Sequence, residues 1–293
     1  MNTEFLIQYM LSGKTTNITI GWSRQRGKKH ADLTGMFYHA SLNKVLIKEN
    51  QHIWLSDYFS DVNNASAAER MRDMGSLTDS KCAFSKSYMV IAQGNIGLSA
   101  WNWVDSEPPI VLSSPSLGVV CGIDIHPKMP LVVIINSSGV IFVWQLAFNL
   151  IQSFHTGLKE ATCVSLSPLS PHILVGHGTG DVSLLQILEN SSETSDIVLV
   201  FRHKSLFAAT VRSVTWSPHK NALWLGRSDF EVLMMDDSPG NHNLIYRHSK
   251  NMGLKVVDAL WHPDPKFEGV VSVISERKDE SVVDGTFFSV CAF

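Results

Sequence analysis

The chain has no run of roughly 18 apolar residues, so nothing in it is expected to insert in a membrane. It has no C-x-x-C pair. Its four cysteines, Cys82, Cys121, Cys163 and Cys291, are widely spaced, which argues against a zinc knuckle and for buried free thiols. Neither sign of charge dominates: 24 Lys and Arg stand against 27 Asp and Glu, for a net charge of -3. Phosphate neutralisation needs a clear basic surplus, so nucleic acid is the less favoured partner. The opening residues, MNTEFLIQYMLSGKTTN, lack a basic n-region and a small-residue cleavage site, and the expectation is an intracellular protein, cytoplasmic or nuclear. There is no G-x-x-x-x-G-K-[ST], G-x-S-x-G or H-E-x-x-H, and no paired-carboxylate motif on a recognisable helix. No catalytic residue, cofactor or metal is therefore expected, and the chain is not read as an enzyme.

What is present is a repeat. The segment VRSVTWSPHKNALWLGRSDFEVLMMD (211–236) reads as three short strands, the first closing on Trp-Ser-Pro. The same order recurs in 119–145, in 161–186 and, with a longer turn, in 256–291, with a weaker copy in 80–102. The residue that closes the first strand falls at Ser85, His126, Ser167, Ser217 and His262, in steps of 41, 41, 50 and 45 residues. The third strand ends at Trp101-Asn102, Trp144-Gln145, Leu185-Gln186 and Met235-Asp236. Strand-rich units of this period with a Trp-Asp-like ending mark a β-propeller, and the chain resembles the WD-repeat family over nearly its whole length.

That resemblance implies an all-β, WD-repeat-like β-propeller as a single domain over 1–293. Six blades are favoured, with seven the alternative. The segment FLIQYMLSG (5–13) matches NLIQSFHTG (149–157) and is expected as an outer strand that completes the carboxy-terminal blade and closes the ring. The first blade begins either at NITIGWSR (17–24) or at ADLTGMFYH, the latter leaving 14–30 as a basic loop. The stretch 60–79 interrupts the pattern and is expected as a helical or loop insertion, with a short helix over 65–74. Apolar strands ending in His155, His203 and His248 resemble the Gly-His element of WD repeats. In that family the histidine usually joins a strand tryptophan and a turn aspartate in a buried hydrogen-bond network.

The glycines of GHGTG (176–180) pose a choice between a phosphate cradle and a hairpin turn. A cradle needs a helix just after it, whereas a strand-like DVSLLQ follows, so a turn is expected. Lys159, Arg212 and Lys255 lie near the starts of first strands and are candidates for a cationic, partner-binding rim. Arg24, Arg26, Lys28 and Lys29 form the one basic cluster, either a solvated loop or a contact for an acidic partner. The functional expectation is a non-catalytic interaction scaffold, a subunit among other protein subunits, with no homo-oligomer predicted. The alternative is a reader that binds a peptide or RNA at the channel mouth.

Overall fold

A computed structural model describes residues 117–189 and 195–249 continuously, and elsewhere mainly the strands given below. The chain divides into two compact units, Met1–Thr78 and Asp79–Phe293. No α-helix occurs among the described residues.

In the first unit β1 (Glu4–Gln8) pairs antiparallel with β2 (Thr19–Arg24). Residues 4–8 thus take a different partner from the one expected, the carboxy-terminal sheet. The physical reason is loop closure: a short connection to β2 loses far less chain entropy than one spanning the whole sequence. A four-stranded sheet follows, of β3 (Leu33–His39), β4 (Lys44–Glu49), β5 (His52–Asp57) and β6 (Glu69–Arg70). It starts at LTGMFYH, the second of the two expected beginnings, but residues 19–24, expected in that case as part of a basic loop, form β2. Glu69 and Arg70, inside the expected helix, are extended and pair with Leu55 and Trp54, where they satisfy the outer edge of β5. The rest of 60–79 lies outside the described residues.

The second unit is a series of antiparallel sheets. The first contains β7 (Ser80–Phe84), β8 (Tyr88–Gln93), β9 (Gly97–Asn102) and β10 (Ile110–Leu112). Next come β11 (Val120–Ile125), β12 (Leu131–Asn136), β13 (Val140–Gln145) and β14 (Leu150–His155). The third holds β15 (Ala161–Leu166), β16 (His172–His177), β17 (Val182–Glu189) and β18 (Ser195–His203). The fourth holds β19 (Ser213–Trp216), β20 (Leu223–Arg227), β21 (Glu231–Asp236) and β22 (Asn243–Ser249). The last has three described strands, β23 (Leu254–Trp261), β24 (Val271–Arg277) and β25 (Thr286–Cys291). Within each sheet the strands follow in chain order, as a meander.

The sheets stack face on face, and side-chain alternation explains how. In LVVIIN, Val132 and Ile134 pack toward the preceding sheet with Val90, Leu98 and Trp144, while Val133 and Ile135 pack toward the following one with Val164 and Ile173. The same division places Leu174 and Leu184 against Trp216 and Trp224, and Leu225 and Met234 against Val256 and Val273. Inner strands buried on both faces favour apolar residues at most positions, which is why LVVIIN and VIFVW read as near-continuous hydrophobic runs. The first strands of successive sheets also lie together, β7 against β11, β11 against β15 and β15 against β19.

The five landmark residues have one common role. Ser85, His126, Ser167, Ser217 and His262 each donate their backbone N–H to a carbonyl at or just before the start of the next strand, at 2.8–2.9 Å. In Ser85, His126, Ser167 and Ser217 the side chain also accepts amide protons from the turn. Ser217 Oγ receives those of His219 (3.3 Å) and Lys220 (3.1 Å), and Ser85 Oγ receives that of Tyr88 (3.1 Å). His126 does the same with a ring nitrogen: Nδ1 accepts from Lys128 at 3.1 Å and Met129 at 3.0 Å. Burial, helped by the Lys128 charge, keeps this imidazole below its usual pKa, as an acceptor nitrogen requires.

Asp124 joins two sheets through their first strands. Its Oδ2 accepts from Ser165 Oγ (3.0 Å) and the Leu166 N–H (2.8 Å), and its Oδ1 from the Ile125 N–H (2.9 Å). Burial pushes the carboxyl up from 3.8 to about 6 despite these three donors. A carboxyl that holds its proton more tightly folded than unfolded loses stability as pH rises from about 4 to about 6, and the loss is complete above that window. The expected result is that wild type, compared with Asp124→Asn by urea unfolding, weakens across this window relative to the variant. A stability difference that does not change with pH would contradict this assignment.

Candidate functional site

Two polar groups in the second unit have the burial and partners of a site. The first is built where β19, β20 and β23 begin or end. Arg212, just before β19, donates to Asp229 through Nη2 at 2.8 Å and Nε at 3.2 Å. Asp229 lies in the turn between β20 and β21, and its carbonyl accepts the Val256 N–H at 2.8 Å. Arg227, at the end of β20, donates to the Val256 carbonyl at 3.3 Å and stands 3.7 Å from Asp258. Lys255 adds a third positive charge acting on Asp229.

Charge and burial set the protonation of this group. The Arg212 hydrogen bond holds Asp229 below the usual carboxylate range, and Asp229 in turn raises Arg212. Burial lowers Arg227 and raises Asp258. Three cations thus share Asp229, which is ionised, and Asp258, which burial pushes toward the neutral form. The surplus is positive, and Arg212, half exposed, presents it to solvent. With Nε and Nη2 serving Asp229, a partner's carboxylate or phosphate oxygen would meet this group through Arg212 Nη1 and the Lys255 charge.

Of the residues expected to form a cationic rim, the structure brings Arg212 and Lys255 together and adds Arg227. Arg227 was not legible as a partner in sequence because it reaches the group from the far end of another strand. Lys159 lies in the loop between β14 and β15, where it is exposed and its carbonyl takes His177 Nδ1 at 2.9 Å. Arg24 is the last residue of β2, opposite Glu4 in the backbone register. Arg26, Lys28 and Lys29 lie outside the described residues.

His177 belongs to GHGTG, which runs from the end of β16 into the connection to β17. His177 Nε2 meets Ser183 Oγ at 2.9 Å, and its carbonyl accepts the Val211 N–H at 3.1 Å. Asp181 accepts from the Ser205 N–H (2.7 Å) and from Arg202 Nη2 (2.8 Å). Burial alone would raise Asp181, but these donors outweigh it and leave the carboxyl low. The His177, Gly178 and Gly180 N–H groups are already given to the Asp181, Glu160 and His177 carbonyls.

The second group surrounds Asp237. His203 Nε2, at the end of β18, lies 2.9 and 3.0 Å from the two carboxylate oxygens. Trp224 Nε1 donates to Oδ2 at 2.7 Å, and His242 Nδ1 lies 3.0 Å from Oδ1. Burial pushes Asp237 up, yet the hydrogen bond and charge of His203, with His242 and Trp224, bring it below its ordinary range. His203 therefore makes the histidine–tryptophan–aspartate contact expected of the repeat histidines. The other two differ: His155 is exposed, and His248 is half buried with Nδ1 3.2 Å from the Tyr246 hydroxyl. No sequence signal pointed to His242, which reaches the carboxylate through a turn.

Cys121 and Cys163 are free thiols, half buried as residues. Burial pushes the Cys163 thiol up to about 11, so it stays protonated and inert.

The described elements define an all-β chain of repeated four-stranded antiparallel sheets, compatible with a β-propeller-like fold. No helix among the described residues is long and apolar enough to cross a membrane. Set against protein-family models and curated protein sequences, the chain matches none.

Proposed function

We propose that the chain is a non-catalytic protein-interaction scaffold, a six-bladed propeller of the WD-repeat kind serving as a subunit of a multi-protein assembly in the cytoplasm or nucleus. The observation that carries this reading is the outer strand of the sheets. β10, β14, β18 and β22 each stand at the end of a sheet, and each leaves large apolar side chains in water. Val111 is 61% exposed, Leu199 53% and Ile245 47%, with Leu150, Val200 and Leu244 close behind. Single exposed apolar residues are ordinary, but their recurrence on every described outer strand of four consecutive sheets is what a protein-covered rim needs. The test is purification of the tagged full chain from its own cells after nuclease treatment. A stoichiometric set of other proteins supports the reading, and a lone chain contradicts it.

The Asp229 group favours a second reading, a reader whose cationic fork receives an acidic peptide or an RNA phosphate. Lys255→Glu combined with Arg212→Gln is then expected to weaken partner binding about tenfold, more at low salt than at high. Binding that is unchanged in this variant, with its thermal midpoint checked, removes Arg212 and Lys255 from the interface.

A further inference from the structure

We propose that His203, Asp237 and His242 bind a divalent cation of the zinc class. The three donor atoms, His203 Nε2, an Asp237 carboxylate oxygen and His242 Nδ1, all lie within 4.8 Å of one another. Both imidazole nitrogens stand 2.9–3.0 Å from the same atom, Oδ1 of Asp237. Zinc holds nitrogen and carboxylate ligands at roughly 2.0–2.2 Å, which sets tetrahedral ligand atoms roughly 3.3 Å apart. Each nitrogen–oxygen pair therefore needs to open by only a few tenths of an ångström, while the two imidazole nitrogens, within 4.8 Å of each other, need to come to that same spacing.

The surroundings position these donors. Trp224 Nε1–H holds Oδ2 at 2.7 Å and so aims Oδ1 at the two imidazoles, the task of an outer hydrogen bond at a metal ligand. Phe201 stacks on His242 with ring centroids 3.8 Å apart and planes 11° from parallel, and meets His203 edge-on at 4.8 Å. Both ligand rings are thus held in plane by one aromatic residue. The 237–242 turn closes through the Asn241 N–H on the Ser238 carbonyl at 2.7 Å, which returns His242 to the carboxylate it follows by five residues. His203 and Asp237 are buried, while the His242 side chain is 28% exposed. The exposed side of His242 offers an entry path from solvent.

The expectation that no metal is bound rests on the missing zinc motifs, with the three repeat histidines assigned to hydrogen-bond networks. His242 is not one of them. It supplies a second imidazole to a carboxylate that a repeat network needs to serve only one. Two nitrogen donors also disfavour magnesium and calcium, which take oxygen ligands.

The test uses the full chain, stripped with chelator and titrated with zinc chloride under equilibrium dialysis. One zinc per chain is expected, with a raised thermal midpoint in its presence. His242→Ala, which removes a part-exposed ring, is expected to lose at least tenfold in affinity and all of the thermal shift. Trp224→Phe keeps the three ligands and is expected to bind one zinc more weakly, by about tenfold. Absence of stoichiometric zinc from the wild type overturns the proposal, as does His242→Ala binding zinc as tightly as wild type.

Discussion

Alanine at Gly139 or Gly180 is expected to destabilise the second unit by about 4 kcal/mol, combining backbone strain with overlap. Both glycines sit in turns between the second and third strands of their sheets, at φ +75 and +83. A Cβ on Gly139 would fall 1.6 Å from the Leu158 carbonyl oxygen, and one on Gly180 would fall 2.2 Å from that of Phe207. Both oxygens belong to backbone of the loop leading into the next sheet, and the Phe207 N–H is itself bonded to the Gly180 carbonyl at 3.0 Å. The overlap therefore cannot be relieved by rotating a side chain; the loop must move. Gly157 and Gly240 provide the comparison. They too have positive φ, +69 and +76, but a Cβ there meets nothing within 4 Å. Their alanine variants are expected to lose only about 1 kcal/mol. Urea unfolding of the four variants separates the two contributions, and equal losses at all four would show that the packing of these turns is not as described.

Asp237→Ala is expected to remove about 3–5 kcal/mol, because it leaves several donors without an acceptor in a buried place. Trp224 and His203 are buried, and both point their N–H groups at this carboxylate. Trp224→Phe keeps most of the packing and loses one hydrogen bond, an expected loss of about 1 kcal/mol. The two substitutions share one interaction, so the double variant should be less destabilised than the two losses added together. Thermal unfolding of the cycle reads this coupling directly. Strict additivity would mean that Trp224 and Asp237 do not interact.

Much of this was legible in the sequence, for a physical reason. The landmarks Ser85, His126, Ser167 and Ser217 stand out because a tight turn needs an acceptor side chain at one fixed place, and serine and histidine both supply it. The GHGTG stretch reads as a turn because a strand follows it. Runs such as LVVIIN announce strands buried on both faces. What could not be read depends on contacts between distant elements. The likeness of residues 5–13 to 149–157 identifies a strand but not its partner, and β1 takes the neighbour that a short loop brings to it. Glu69 and Arg70 have helical propensity, yet the open edge of β5 draws them into a strand. Arg227 and His242 join their groups through β20 and through a turn, and neither carries a motif. Cationic residues near strand starts were visible in sequence, but their offsets from the landmarks differ. Only the structure separates Lys159 from Arg212 and Lys255.

The central claim is that the apolar outer strands are covered by other proteins. It is tested most directly by measuring the mass of the tagged chain, purified from its own cells, beside a variant carrying Leu199→Lys and Ile245→Lys. Both positions are exposed, so the variant should fold with an unchanged thermal midpoint. The account predicts that wild type has the mass of an assembly with fixed stoichiometry, and that the variant runs as the single chain. A wild-type chain that runs alone, or a variant that keeps every partner, would contradict it.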